Sequence, residues 1–338
     1  MQSDYQTNAN HMNFYEERLQ YLRRKFSRIS LSFVICVFVT YLAVFVLQIA
    51  ISLFGLGEAF AKNIYWQWVV SLLPFYAFGV PAIFLFLGKA DVVPPKEKKF
   101  PLGEFLLLFL IGRFFTLAGT YISSFLIGIT EYLIKSPIED STSALISSTP
   151  PWLIFIAAVV IAPIFEELVY RKLIIDRLYV HGEWVAILFS SSFFALAHGN
   201  LYQVAYAFLN GCILGLLYTR SGKLRYPIIF HMVTNFLGSI AILPIIDAQV
   251  KLESLILSGD MNIEYFTLSM LIGGYSIAKF FLAILGAAVL IFCYRQFIPS
   301  KRALDPLPRG KSLRTVVINP GCIAFIIVSG IEFIMSFY

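Results

Sequence analysis

The chain has 338 residues, of which 59% are hydrophobic and only 14% are charged, and its formal net charge is +6. A soluble globular domain is excluded, because several apolar runs of 18 or more residues are long enough to cross a bilayer. The basic residues stand in short polar segments between these runs, which is the pattern of cytoplasmic loops. The positive charge therefore indicates orientation in a lipid bilayer and predicts no nucleic-acid partner.

Residues 1–30 form a polar arm that we expect to be cytoplasmic. Its second half is amphipathic, and four basic residues between positions 23 and 28 directly precede the first apolar run. Such a cluster stays on the cytoplasmic side and contacts anionic lipid. The first apolar run is too long for the hydrophobic region of a signal peptide, so we expect no cleavable leader.

Nine apolar segments follow the arm. Their predicted ranges are 31–54, 65–88, 104–129, 152–179, 184–198, 202–219, 226–246, 266–294 and 316–337. The fifth and sixth segments need not both cross fully, and the last could lie at the interface. The prediction is an all-α, polytopic transmembrane bundle of eight or nine spans with a cytoplasmic N-terminus. Pro74 and Pro81 should kink the second span, because proline interrupts helical hydrogen bonding.

We divide the chain beyond the arm into three predicted regions. These are N-terminal transmembrane helices (31–149), a central core (150–246) and C-terminal transmembrane helices (247–338). Within them, residues 131–150 and 247–264 are acidic or rich in Ser and Thr, and we expect outer loops there.

Two cations lie inside predicted spans, Arg113 in the third and Lys279 in the eighth. A charge in hydrocarbon costs at least ~2.5 kcal/mol on insertion scales. We therefore expect Arg113 either to form a buried ion pair or to extend toward the cytoplasmic interface.

The fourth span carries two adjacent carboxylates near its middle, Glu166 and Glu167. Glu167 and Arg171 are four residues apart, so a helix places them on one face with the acid before the base, which is the favourable order. Glu166 is rotated by about 100° from Glu167 and has no partner within its own helix. An ionisable residue inside the membrane is a functional-site hypothesis by default. The alternative is that both glutamates bridge to other helices.

The chain has four histidines, and two of them lie in apolar segments. His11 is in the arm and His181 is in a predicted cytoplasmic loop, so we expect both to be solvated. His198 follows Phe194 by four residues, and His231 precedes Asn235 by four. A lone histidine in an apolar helix is usually a packing residue, but two of them together with paired glutamates favour a site.

These residue types permit peptide-bond hydrolysis by an activated water. A carboxylate in a partly dry site can accept a proton from water, and a nearby histidine can hold that water. A histidine and an amide on one helix face can donate hydrogen bonds to the developing oxyanion. No serine or cysteine stands in a nucleophile motif.

A zinc site is the competing interpretation, because two glutamates and two histidines are also a plausible ligand set. Its ligands would be Glu166, Glu167, His198 and His231. The sequence contains no HExxH motif. We therefore favour a metal-free site without a cofactor and keep zinc as the alternative.

The three motifs Glu166-Glu167-x-x-x-Arg171, Phe194-x-x-x-His198 and His231-x-x-x-Asn235 occur in this order over about residues 150–240. They resemble the signature motifs of the CPBP family. That family contains CAAX-type prenyl endopeptidases and bacteriocin-processing or self-immunity (Abi) proteins. The resemblance implies a glutamate-dependent intramembrane endopeptidase.

The resemblance also implies a role for each matched residue. Glu166 would be the water-activating base with His198 as its partner, and His231 with Asn235 would form the oxyanion site. The residues that would support the site are Glu167, Arg171 and Phe194.

Three classes of function remain open from the sequence. The first is a multi-pass protease, in a cell membrane of bacterial type, that cleaves a peptide or membrane protein near its C-terminus. The second is a binding role, such as bacteriocin self-immunity or partnership with a membrane sensor. The third is a transporter, which the lack of an inverted repeat disfavours. The sequence predicts neither the substrate nor the oligomeric state.

Overall fold

The computed structural model describes residues 2–88, 92–300, 303–308 and 310–337, without the side chains of 2–12, 61, 141 and 142. Within these ranges every regular element is a helix, which confirms the predicted all-α class. The helices are α1 (Gln2–Leu53), α2 (Gly57–Lys62), α3 (Ile64–Leu87), α4 (Leu102–Ile134), α5 (Ser141–Ser148), α6 (Pro151–His181), α7 (Glu183–Leu196), α8 (Leu201–Ser221), α9 (Arg225–Ser239), α10 (Leu243–Ser258), α11 (Ile263–Phe297), α12 (Ser312–Val316) and α13 (Pro320–Met335).

In the described part of the chain, seven helical stretches are long and apolar enough to cross a membrane. The chain is therefore a multi-pass membrane protein. The fifth and ninth predicted spans correspond to α7 and α13, which have 14 and 16 residues. At 1.5 Å per residue these helices reach about 21 and 24 Å, less than the ~30 Å of a hydrocarbon core.

The chain divides into two compact units. The first unit is Met1–Val92 with Leu304–Met335, and the second is Val93–Ala303 with Ser336–Tyr338. The candidate site lies entirely in the second unit. The three predicted regions and the separate arm stay predictions, although α1 runs without a break through position 30.

Small side chains hold the first unit together. Gly321 on α13 lies so close to α1 that a Cβ atom would stand 2.0 Å from the carbonyl oxygen of Ser27. The Ser27 hydroxyl accepts a 2.9 Å hydrogen bond from the Gly321 amide. One turn further, the Ser30 oxygen lies 2.9 Å from the Cys322 sulfur. Small residues of this kind let helix backbones approach in lipid, where hydrophobic burial gives no driving force.

Glycines play the same part in the second unit. On α4, Gly119 faces the backbone of Tyr206 on α8, where a Cβ atom would stand 2.4 Å from its Cα. On α11, a Cβ atom added to Gly286 would stand 2.0 Å from the Leu110 carbonyl oxygen of α4. The long helix α4 is thereby fixed between α8 and α11. This arrangement positions the helices that carry the site residues.

One expectation about an individual residue needs correction, and both predicted outer loops contain helices. Asp140 caps α5 by accepting from the Ser143 amide at 3.0 Å, and α10 continues to Ser258. His181 is not solvated but 3% exposed, because α6 continues to this residue and Gly182, at φ 125°, leads at once into α7. His11 lies outside the described side chains.

Arg113 has no recorded ion pair with the described residues. Its Nη2 donates to the hydroxyl of Thr234 on α9 at 3.0 Å, and its guanidinium lies 4.9 Å from the centre of the Phe109 ring. Between Pro74 and Pro81, α3 widens into a π-helical turn at Phe75–Gly79.

Candidate active site

Helix α6 supplies both glutamates and is irregular on either side of them. It widens into π-helical stretches at Phe155–Ile161 and Leu168–Ile175, with an α-helical stretch at Ala162–Glu167 between them. Single-turn π-bulges occur frequently at functional sites. Here they bracket the Glu166-Glu167 pair.

Pro163 and Asn235 both contribute to the π-helical stretch at Phe155–Ile161. The Ala162 amide donates to the Ala157 carbonyl, five residues back. In the same register Pro163 would donate to Ala158, but proline has no N–H. The Ala158 carbonyl instead accepts a 2.8 Å hydrogen bond from the Asn235 side chain of α9. Asn235 therefore satisfies a backbone group that the proline leaves free.

The expected pair of Glu167 and Arg171 is present. The Arg171 Nε lies 3.0 Å from the Glu167 Oε2, and both side chains are 0% exposed. The remaining guanidinium nitrogens have no hydrogen-bond acceptor among the described residues, and the Arg171 group lies 4.7 Å from the Phe194 ring centre. A cation over an aromatic face is stabilised by the ring quadrupole. Phe194 thus supports the arginine on the side that Glu167 does not cover.

His231 joins the two glutamates. Its Nδ1 lies 2.9 Å from Glu167 Oε1, and its Nε2 lies 3.5 Å from Glu166 Oε2. Because a carboxylate only accepts, Nδ1 carries a hydrogen, and Nε2 is the nitrogen that faces the site. The Phe194 ring meets the His231 ring edge-on at 5.6 Å. Arg171, Glu167 and His231 therefore form one connected row.

Glu166 is the more accessible of the two acids. Its side chain is 22% exposed, whereas that of Glu167 is fully buried and shared between a guanidinium and an imidazole. The family resemblance implied His198 as the partner of Glu166 and placed His231 at the oxyanion site. The two residues are brought together by the packing of α9 against α6.

His198 lies just beyond the end of α7, in the turn before α8. Its Nδ1 is 2.7 Å from the Phe194 carbonyl, which only accepts, so Nδ1 donates and a neutral ring has its lone pair on Nε2. The turn is held by Asn200, whose side chain donates to the His198 carbonyl and accepts from the Gln203 amide. Glu166 and His231 both act electrostatically on His198.

Sequence reasoning missed several of the residues that position this site. Asn200 has a recognisable signal, because an asparagine directly before an apolar run is a helix N-cap. Ser190 has none: its hydroxyl donates to the Tyr170 carbonyl at 2.7 Å and so attaches α7 to the second wide stretch of α6. The contact between Asn235 and Ala158 spans 77 residues and has no local signature.

The candidate zinc ligands do not form a metal site in this arrangement. Among the described residues, no three His, Cys, Asp or Glu side chains are grouped so that they could hold a metal ion. Glu167 in particular is committed to Arg171 and His231. The zinc alternative stays a prediction, and no step of the chemistry below is derived from a metal.

Residues 148–237 match the family model of type II CAAX prenyl endopeptidases, described as Rce1-like. An uncharacterized 24.3 kDa protein of Escherichia coli is 30% identical over 128 residues, which cover 36% of this chain and 59% of the relative. The membrane-embedded CAAX protease MroQ of Staphylococcus aureus is 32% identical over 107 residues, covering 30% and 42%. The putative membrane peptidase YdiL of Bacillus subtilis is 29% identical over 128 residues, covering 35% and 52%.

The matched regions thus span between 42% and 59% of these relatives. The match includes all seven site residues predicted from the three motifs. It confirms the predicted resemblance to CAAX-type endopeptidases. No solved structure matches the chain significantly.

Proposed function

We propose that the chain is an intramembrane endopeptidase with a glutamate-activated water, because residues 148–237 match the Rce1-like family model of type II CAAX prenyl endopeptidases. The substrate class is a peptide or membrane protein cleaved near its C-terminus, as the name of one relative, a CAAX protease, suggests. A prenyl group on the substrate is not part of the proposal.

The unequal environment of the two glutamates is the observation that carries the proposal. Glu167 is fully buried, and its oxygens face Arg171 and His231. The Glu166 side chain is 22% exposed, and its ion-pair contact among the described residues is with His231 Nε2 at 3.5 Å. One carboxylate is thus held in place while the other is available to a water. Two adjacent acids in different environments commonly have different roles.

In the proposed reaction Glu166 accepts a proton from water as the water oxygen bonds to the scissile carbonyl carbon. The carbonyl oxygen becomes negative in the tetrahedral intermediate. As the C–N bond breaks, the proton passes from Glu166 to the leaving nitrogen, which departs as an amine. The glutamate returns to its carboxylate form, so a single residue acts as base and then as acid.

The histidines divide the remaining tasks. The Nε2 of His198 is an acceptor when the ring is neutral, so it can orient the same water. His231 has its Nδ1 hydrogen directed to Glu167, so it donates from Nε2 to the oxyanion only as an imidazolium. Asn235 has a second amide hydrogen beyond the one given to Ala158, and this hydrogen is the proposed second donor.

Comparative proteomics of C-terminal fragments tests the proposal. Cells expressing the intact chain are compared with cells expressing Glu166→Gln, which keeps the size and hydrogen bonding of the side chain but cannot accept the proton. Glu332→Gln is the matched control, because Glu332 is also a glutamate in an apolar helix but lies in the first unit beside Tyr41. We expect specific fragments to disappear with Glu166→Gln and to persist with Glu332→Gln.

Three outcomes separate the alternatives. Full cleavage by Glu166→Gln contradicts the glutamate mechanism. Loss of cleavage with every cellular phenotype retained assigns the biological role to binding, as in self-immunity or sensor partnership. Zinc that copurifies with the active chain, together with reversible inhibition by strong chelators, favours the metal mechanism instead.

A further inference from the structure

Arg113 is a cation inside a membrane helix, and the proposed mechanism does not use it. It lies 11 residues beyond the start of α4 at Leu102, which is about 16 Å along the helix. An arginine inside a membrane-spanning helix is costly and marks a functional site by default.

The contacts of Arg113 leave its charge without a counter-ion. Its recorded partners are the Thr234 hydroxyl at 3.0 Å and the face of Phe109 at 4.9 Å, and its Nε is buried with no hydrogen-bond partner. Within the described ranges, no carboxylate is recorded within 4 Å of its guanidinium, in contrast to Arg171. A guanidinium has five N–H donors, and Thr234 accepts only one.

Arg113 is attached to the helix that carries two of the site residues. Its neighbour Gly112 lies so close to Phe230 that a Cβ atom would stand 2.6 Å from the ring. Phe109 packs edge-on against the same Phe230 ring at 5.8 Å. Phe230 directly precedes His231, and Thr234 directly precedes Asn235. Arg113 is therefore fixed against the part of α9 that carries His231 and Asn235.

We propose that Arg113 binds the terminal carboxylate of the substrate and so makes the site selective for a free C-terminus. This inference rests on the proposed endopeptidase function. A planar guanidinium offers two parallel donors that match a carboxylate, and such charge-assisted pairs are strong where water is scarce. Bound substrate would supply the negative charge that the described residues do not.

The terminal carboxylate is favoured over two other anions. A chain that enters the membrane by its C-terminus carries this charge whatever its sequence, whereas an Asp or Glu side chain depends on sequence. Lipid phosphates stay in the headgroup region, about 15 Å from the middle of the bilayer. A carboxylate bound here fixes the number of residues between the chain end and the scissile bond.

The test uses the purified full-length chain in detergent micelles. Peptides are copied from the C-termini of proteins whose cleavage depends on Glu166, and each is made with a free carboxylate and with a terminal amide. Cleavage is followed by mass spectrometry, and KM and kcat are measured separately. We expect the wild type to cleave the acid about 10- to 100-fold more efficiently than the amide, mainly through KM, as for loss of a charged hydrogen bond.

The same peptides are given to Arg113→Gln, Arg113→Lys and Lys279→Gln. We expect Arg113→Gln to reduce cleavage of the acid to the level of the amide and to leave the amide unchanged, while Arg113→Lys keeps part of the preference. Lys279 is the matched control, because it is an exposed cation near the middle of α11 with no part in the site. Its substitution should leave both rates unchanged.

Three results overturn the inference. Equal cleavage of acid and amide by the wild type does so even if Arg113→Gln fails to fold. An equal fall in kcat for both peptides assigns Arg113 a structural role only. A preference that follows internal Asp or Glu residues or added anionic lipid assigns the charge to another anion. If no cleavage depends on Glu166, the proposed function fails and the inference falls with it.

Discussion

The two units of the molecule solve the problem of packing helices in lipid differently. In the first unit, small residues such as Gly321 and Ser30 bring backbones together, and the recorded ion pairs have side chains that are 33% exposed or more. In the second unit an ion pair with 0% exposure lies within a membrane helix. Glycine packing is also present there, and the buried ion pair stands beside the candidate site. The comparison predicts that these charges serve the proposed chemistry.

The largest expected effect tests whether the charges of the second unit perform that chemistry. Glu166→Gln should reduce the cleavage rate by about 10² to 10⁴, the range for loss of a general base, and His198→Ala should approach the same loss. Both residues act on one water in the proposed mechanism, so the double variant should be no slower than the worse single variant. Cleavage assays on the purified chain measure this. Multiplicative losses would show that the two residues act independently.

The next effect concerns the stability that depends on the buried pair. Glu167→Gln or Arg171→Gln alone should lower the free energy of unfolding by about 3 to 5 kcal/mol, because each leaves an unpaired buried charge. The double variant should recover stability relative to both singles. Unfolding in mixed micelles with increasing SDS measures these differences. A double variant less stable than either single would contradict the pairing.

A smaller effect is expected from the small-residue contacts of the first unit. Gly321→Val should lower the free energy of unfolding by about 1 to 3 kcal/mol, the usual range for overpacking, because its Cβ atom would meet Ser27. Gly330→Val on the same helix is the matched control, since nothing lies within 4 Å of its Cβ position. Equal unfolding curves for the two variants would show that the close contact between Gly321 and Ser27 does not stabilise the first unit.

The smallest effect belongs to a neutral hydrogen bond in the same interface. Ser30→Ala removes the contact with Cys322 and should cost only about 0.6 kcal/mol, the average for hydrogen bonds between membrane helices. The same SDS titration measures it. A loss as large as that of Glu167→Gln would show that the first unit also depends on buried polar groups.

The sequence predicts the helices of this protein better than the contacts between them. The fourth span was predicted at 152–179 and is observed at Pro151–His181, and the i, i+4 pair of Glu167 and Arg171 follows from helix periodicity alone. Both are local properties, which depend on apolar run length and on 3.6 residues per turn. The roles assigned to the site residues stay predictions.

The contacts that the sequence did not predict depend on distant segments. His231 meets Glu167 across 64 positions, and Asn235 meets Ala158 across 77. A hydropathy pattern describes one segment at a time and does not indicate which distant segments are in contact. His181 was misplaced for a related reason: a polar residue at the end of an apolar run suggests a loop, but a one-glycine connection buries it.

The separation of Glu167 from His231 also has a consequence for the order in which the protein is made. Glu167 can pair with Arg171 as soon as α6 has formed, so these two charges can already neutralise each other when the helix enters the bilayer. His231 is synthesised 64 residues later, about 3 to 13 s at typical rates of translation. During that interval the helix has its internal ion pair but lacks the His231 imidazole, and the Ala158 carbonyl still lacks the Asn235 amide. The Glu167–Arg171 pair therefore forms before the chain acquires the other groups proposed for peptide-bond cleavage.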